Sequence, residues 1–432
     1  MGSGIAGLSA AWAMRATHEV TLFEAADRLG GHSNTVDIDY NGSPMSVDTG
    51  FIVYNDLNYP NLKAMFAHLG VETQAADMSF AFSAGAGREW SSNGLKGVFA
   101  WRRNLARLEF LSMLADIVRF SVQARSDLHH RRPSLDAPLG EYLAGCRIGE
   151  AFRSSYLLPM GAAIWSTPEA KILQFPTRSF LRFFDNHRLL QLKRPKWRTV
   201  AGGSKNYVSK LAADLDGRIE LNTPVHSVTS LAGGVMVETP SGSQRFDAVV
   251  MAAHSDEILN ALANPSQEQR DMLSSVQFGA NVAYLHRDES LMPRRRNAWG
   301  AWNYMRTAPG KPACVTYWMN PLQGLPDDKP VFVTLNPGVM PDPSKTFARF
   351  DYDHPLFDQA ALNAQRRFHA IQGQGGIWLA GAWMGYGFHE DGIASGLRVA
   401  QALGAEVPWK CSFDRLEQIE RNGQLESLLE AA

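Results

Sequence analysis

"MGSGIAGLSAAWAMRATHEVTLFEAADRLGGHSNT", residues 1–35, decides the fold. Gly2, Gly4 and Gly7 form a G-x-G-x-x-G, a loop whose missing side chains let backbone approach a pyrophosphate. The spacing has that meaning only where a strand enters the loop and a helix leaves it. The helix is present: "LSAAWAMR", residues 8–15, is rich in helix formers and small on one side, as packing on a sheet requires. The strand is not, because Met1 directly precedes Gly2. Met1 is therefore expected to take the last position of a first strand whose earlier residues have been cut away. A chain truly starting there is expected to bind its dinucleotide poorly, since neighbouring strands lose backbone partners.

Outward from the loop, "HEVTLFEA" alternates and places Glu24 at the tip of a second strand, roughly 20 residues beyond the glycines, where an acid meets an adenosine ribose. "EAADRLGGHSNT" then adds Arg28 and the pair Gly30-Gly31. This extended run, G-x-G-x-x-G followed by E-A-x-x-R-x-G-G, resembles the N-terminus of FAD-dependent oxidoreductases of the flavin amine oxidase, phytoene desaturase and protoporphyrinogen oxidase superfamily. The resemblance implies an α/β fold, a Rossmann-like FAD-binding domain with its first strand truncated and an inserted α+β substrate domain. It implies non-covalent FAD, with Gly2, Gly4, Ile5, Ala6 and Gly7 facing the pyrophosphate at a helix N-terminus. Glu24 and Ala25 would meet the AMP ribose, and Arg28, Gly30, Gly31 and His32 would flank the phosphates and ribityl chain. Val225, in "NTPVHSV", sits where the family's backbone holds the adenine.

The other end of the chain completes the pattern. "WLAGAWMGYGFHEDGIASGLRVA", residues 378–400, reads as strand, glycine-rich loop and helix, and resembles the family's closing A-G…G-A-x-x-S-G. Gly381, Gly392 and Ile393 would close on the flavin, with the helix N-terminus favouring negative charge at its pyrimidine edge. Where relatives carry an acid after A-G, this chain has Ala382. Tyr386, Phe388 and His389 are the flavin-facing candidates for catalysis, and His389, Glu390 and Asp391 read equally as structural or helix-capping groups. The plan is discontinuous, with FAD-binding segments 1–60, 199–258 and 351–405, a substrate domain from 61–198 and 259–350, and a helical tail at 406–432. "GRIELNTPVHSVTSLAGGVMVETPSGSQRFDAVVMAAH" supplies alternating strands and then a continuous apolar strand in the middle segment.

Composition narrows the partners. A net charge of -1 over 432 residues gives no reason to invoke nucleic acid. Cys146, Cys314 and Cys411 make neither a disulfide framework nor a metal spacing, so no metal is expected and a reducing, cytoplasmic setting is. Amine oxidases of the superfamily usually carry a lysine near the flavin N5, yet no lysine falls between Lys210 and Lys311, and the corresponding strand reads "FGANVAYLHRD". Trp165, Phe175, Phe180, Phe183, Phe184, Trp299, Trp302 and Tyr317 are candidates for a greasy tunnel. "GAWMGYGFHEDG", "TYWMNPLQ" and "VTLNP" resemble a bacterial subgroup often encoded beside cyclopropane-fatty-acyl-phospholipid synthases, implying fatty-acyl or phospholipid substrates, with oxygen or a quinone as electron acceptor. Residues 99–133, with Arg102, Arg103 and Arg107 before an apolar run and Arg131 and Arg132 after it, read either as a peripheral contact with the inner membrane face or as a helix packed on a domain. Amine oxidation, reduced-flavin isomerisation and a non-catalytic FAD-fold binding protein remain the alternatives.

Overall fold

Two short parallel strand pairs form the centre of the cofactor-binding half. Leu22–Phe23 pairs with Ile219–Glu220, and Val249–Met251 pairs with Ile377–Leu379. Met1 and Gly2 fill the slot between them: the Met1 amine donates to Val250 O at 3.0 Å, Ala252 N to Met1 O at 2.8 Å, and Gly2 N to Phe23 O at 2.8 Å. The chain turns from this slot into the helix Ile5–Met14, all ten residues of which are buried. The closing helix, His389–Ala402, packs on it because both have small faces. A Cβ on Gly396 would stand 2.2 Å from Ala6 O, and one on Gly392 would stand 2.7 Å from Ile5 Cγ2. The expected run of alternating strands is an antiparallel sheet of Ser227–Leu231, Gly234–Thr239 and Gly242–Phe246. The computed structural model describes residues 1–85, 88–165, 167–191, 195–306, 313–414 and 416–417. Most of the expected helical tail, from 418 on, lies outside the described residues.

The other half is a seven-stranded sheet in the order Thr346–Leu356, Gln277–His286, Phe332–Leu335, Cys314–Trp318, Trp302–Met305, Phe80–Ser83, Glu89–Ser91. All neighbours are antiparallel except Trp302–Met305 with Phe80–Ser83. Helices between residues 108 and 186 share one apolar core with this sheet.

Three contacts cross the boundaries expected from sequence. Helix Pro60–His68 buries Leu62, Met65 and Phe66 among the residues of the first and closing helices. Met272, Leu273 and Val276 pack in the core of the second parallel pair. Strand Thr346–Leu356 hydrogen-bonds along Gln277–His286 on both sides of residue 351. Asp48 ties the halves together. Its buried carboxylate accepts from Ser204 N and Oγ at the head of helix Lys205–Ala213 and from Gln323 Nε2, and burial pushes its pKa up to about 6 against these donors.

Candidate active site

A single cavity of about 750 Å³ runs along the seam between the halves. Its geometry begins with the three glycines, which have different tasks. A Cβ on Gly7 would be 1.9 Å from Gly2 O, and one on Gly2, at φ +87°, would be 2.5 Å from Ala252 O. These two allow helix, loop and strand to touch. A Cβ on Gly4 would meet nothing within 4 Å, because Gly4 faces the open cavity. The loop is held from the other side by Gly30 N, which donates to Ser3 O at 3.0 Å, and by Gly31, packed on Gly4 Cα.

Gly2, Gly4, Ile5 and Ala6 line the cavity, as do Glu24, Ala25, Gly31 and His32. Val225 lines it beside Thr223, whose N–H donates to Glu24 O at 2.8 Å, so the Glu24 and Val225 positions adjoin. Gly381, Tyr386, Phe388 and His389 also line it. Five residues assigned to the cofactor from sequence do not. Gly7 serves the helix–strand contact, and Gly392 the contact between the two helices. Ile393 is fully buried in the core. Gly30 packs against Ser33 O. Arg28 is exposed, and its guanidinium donates to Gly31 O at 2.9 Å, bracing the loop from outside.

The acids of the closing segment are structural. Glu390 accepts from Asn61 N at 2.9 Å and Leu62 N at 3.0 Å, capping helix Pro60–His68. Asp391 accepts from Phe388 N at 3.0 Å, capping its own helix. Neither takes the place of the acid replaced by Ala382, which lines the cavity as a methyl group. His389 stacks on Phe51 at 3.7 Å between ring centroids, and its Nε2 meets Ser33 Oγ at 2.8 Å and Tyr207 Oη at 3.1 Å. Burial pulls its pKa down to about 3, so the ring is neutral and fixed in orientation.

Sequence reasoning missed two histidines. His254 follows strand Val249–Met251, at the carboxyl end where parallel sheets receive ligands, and that position was a usable signal. His354 sits on the long edge strand, and nothing in its surroundings in the sequence marks it. With His32 they gather at the glycine loop; the His32 and His354 rings are 5.5 Å apart. Burial first, then His354, His254, His389 and Arg28, hold His32 well below its ordinary value. Burial and His254 bring His354 down to about 4. Among the described residues no Lys or Arg lines the cavity, while Glu24, Glu257, Asp351 and Asp353 do.

Beyond this polar stretch the walls are apolar. Trp165 and Phe183 line the chamber, with Trp302 and Tyr317, cross-strand partners whose rings meet edge-on at 4.9 Å. Phe183 stacks on Phe388 at 5.2 Å. The other tunnel candidates are core: Phe175, Phe180 and Phe184 pack behind the wall, and Trp299 packs on Trp318 and Phe332. Strand Gln277–His286 contributes Phe278 and no lysine.

Residues 5–326 match the model of the flavin-containing amine oxidoreductase family. The chain belongs to that family. A Mycobacterium tuberculosis protein named as a flavin-containing monoamine oxidase, AofH, is 26% identical over 269 residues, which is 58% of this chain and 55% of that protein. The chain thus matches about half the length of its curated relatives. A CLA-producing fatty acid isomerase from P. acnes superposes with a TM-score of 0.66 at 15% identity, over 94% of this chain and 97% of the other. Cyclohexylamine oxidase from Brevibacterium oxydans gives 0.65 at 16%, over 93% and 97%. These likenesses show the amine-oxidase-like two-part fold.

FAD, the family's cofactor, fits the groove. Open space at Gly4 and the N-terminus of helix Ile5–Met14 suit a diphosphate. Each oxygen of Glu24 accepts one N–H, from Ser3 at 2.7 Å and Ala26 at 2.9 Å, and keeps a lone pair for a ribose hydroxyl. No cysteine lines the cavity to form a thioether to the flavin.

Proposed function

We propose that the protein is an FAD-dependent oxidoreductase that takes hydride from an apolar substrate, a fatty-acyl chain. One observation carries this reading: among the described residues, the chamber walls around Ile52, Met160, Ile164, Trp165, Trp302 and Leu335 include no charged side chain. A protonated amine placed there would lack a counter-charge, and an unpaired buried ion is costly. An acyl chain would gain about 0.8 kcal/mol for each methylene removed from water. Bound FAD supplies a hydride acceptor at N5 of its isoalloxazine.

The chain's own groups position the substrate and keep water out. Phe183, Tyr386 and Phe388 form an aromatic wall that fixes a substrate carbon against the cofactor. Tyr317 Oη has no hydrogen-bond partner among the described residues, and burial raises its pKa, so it remains a protonated donor for a polar atom of the substrate. His389, kept neutral by burial, holds Ser33 and Tyr207 in place. Forming a double bond would also release a proton to solvent, and the two electrons would pass on to oxygen or a quinone.

Amine oxidation is the second reading. The π faces of Trp302, Tyr317 and Phe183 can take an amine, and AofH and cyclohexylamine oxidase bear names of that activity. Anaerobic mixing of the flavin-loaded protein with long-chain unsaturated fatty acids, phospholipid extracts or amines separates the two. Loss of oxidised-flavin absorbance with lipids but not amines supports the acyl reading; loss with amines alone overturns it. A shifted double bond without oxygen uptake would make the protein an isomerase.

A further inference from the structure

Helix Leu108–His129 has two apolar faces, and only one is used by the fold. Phe110, Met113, Phe120 and Ala124 are buried in the core of the substrate half. On the other side Leu108, Leu111, Ala115, Val118 and Val122 follow one another at steps of three and four residues, all exposed. Leu108 is 82%, Val122 66% and Val118 59% exposed, and Leu105, in the turn leading in, is 58%. Such an ordered stripe differs from scattered surface leucines. Its surroundings are cationic. Residues 94–132 carry eight Lys and Arg against three acids in a chain whose net charge is -1. Asp116, one of the three, is buried and paired with Arg119.

We propose that this stripe is a docking face for an anionic lipid bilayer, with the four valines and leucines entering the acyl boundary and Arg102, Arg103, Arg119 and Arg125 at the headgroups. Charge complementarity decides the occupant. A second copy of the same face would set arginine against arginine, whereas an anionic surface attracts each of them. An amphipathic helix lying in the interface plane needs this combination of apolar face and basic flank. The docked helix stands one layer from the chamber: it packs on helix Thr177–Asn186, whose Phe183 lines the cavity, and Arg125 reaches Asp185 of that helix at 3.6 Å. The inference holds whichever substrate the chamber takes.

The test is co-sedimentation of the FAD-loaded protein with vesicles of phosphatidylglycerol and phosphatidylcholine, and with phosphatidylcholine alone. Binding is expected to the anionic vesicles and to weaken with added salt. The variant Leu108→Ser/Leu111→Ser/Val122→Ser is expected to bind at least tenfold less, with unchanged Tm and flavin content. Arg102→Glu/Arg103→Glu is expected to lose the salt-sensitive part. No binding, equal binding to neutral vesicles, or binding by the triple-serine variant at the parent level overturns the proposal. So does a dimer in solution that the triple-serine substitutions dissociate.

Discussion

At the glycine loop a Cβ on Gly7 would collide with backbone 1.9 Å away while one on Gly4 would meet only space; in the chamber, by contrast, Phe183 lines the cavity and Phe184 beside it lies behind the wall. The first region is specified atom by atom, by positions at which any side chain would clash or block. The second is specified by volume and polarity, which many aromatic arrangements meet. Backbone contacts of the first kind leave fixed spacings in a sequence, and walls of the second kind leave only composition.

Gly7→Val should break the first region most completely. Forcing a branched side chain into the loop overpacks it by about 1–3 kcal/mol or more, and the expected result is loss of soluble folded protein, read by circular dichroism and melting. Glu390→Ala should act next. It strands the N–H groups of Asn61 and Leu62 at about 1–3 kcal/mol, seen as a lower Tm and denaturant midpoint.

The polar stretch predicts a pH effect on the cofactor. Burial and neighbouring histidines depress the pKa values of His32 and His354 in the free protein, and a diphosphate bound beside them would raise both. FAD affinity should therefore rise as pH falls through the raised values of the complex and level off only near the free value of about 4 for His354, by up to about tenfold per unit for each proton taken up. Arg28, His254 and His389, and the acids Glu24, Glu257, Asp351 and Asp353, share the site and set the midpoint. Fluorescence titration of FAD across that range, with His32→Gln/His354→Gln expected to flatten the slope, checks it. The chamber is sharpened by Tyr317→Phe. Without its hydroxyl donor kcat/KM should drop about tenfold, while Tm and FAD affinity stay unchanged. Arg28→Ala should do least to stability, within about 0.5 kcal/mol, because its guanidinium braces Gly31 from solvent.

Legibility in the sequence followed the same division. The glycine loop, the acid Glu24 after it and the closing strand, glycine-rich loop and helix were readable, because close approach admits few residue types. The roles within those motifs were less so: Gly392 and Ile393 carry motif spacing yet pack helix on helix, and spacing cannot say which side of a motif faces the ligand. His354 and Asp48 left no trace, since His32 beside the one and Ser204 and Gln323 on the other lie over a hundred residues away along the chain. Helix Leu108–His129 packs on the substrate half along one side, as one of its two readings expected, and is apolar toward solvent on the other.

Titration of the flavin-free protein and its Gly4→Val variant with FAD, followed by flavin fluorescence alongside Tm, tests the central claim most directly. Saturation at one FAD per chain in the parent, with binding lost in a variant that melts at the parent temperature, is the predicted result. A parent that takes up no FAD, or a Gly4→Val variant that binds it equally well, would contradict the account.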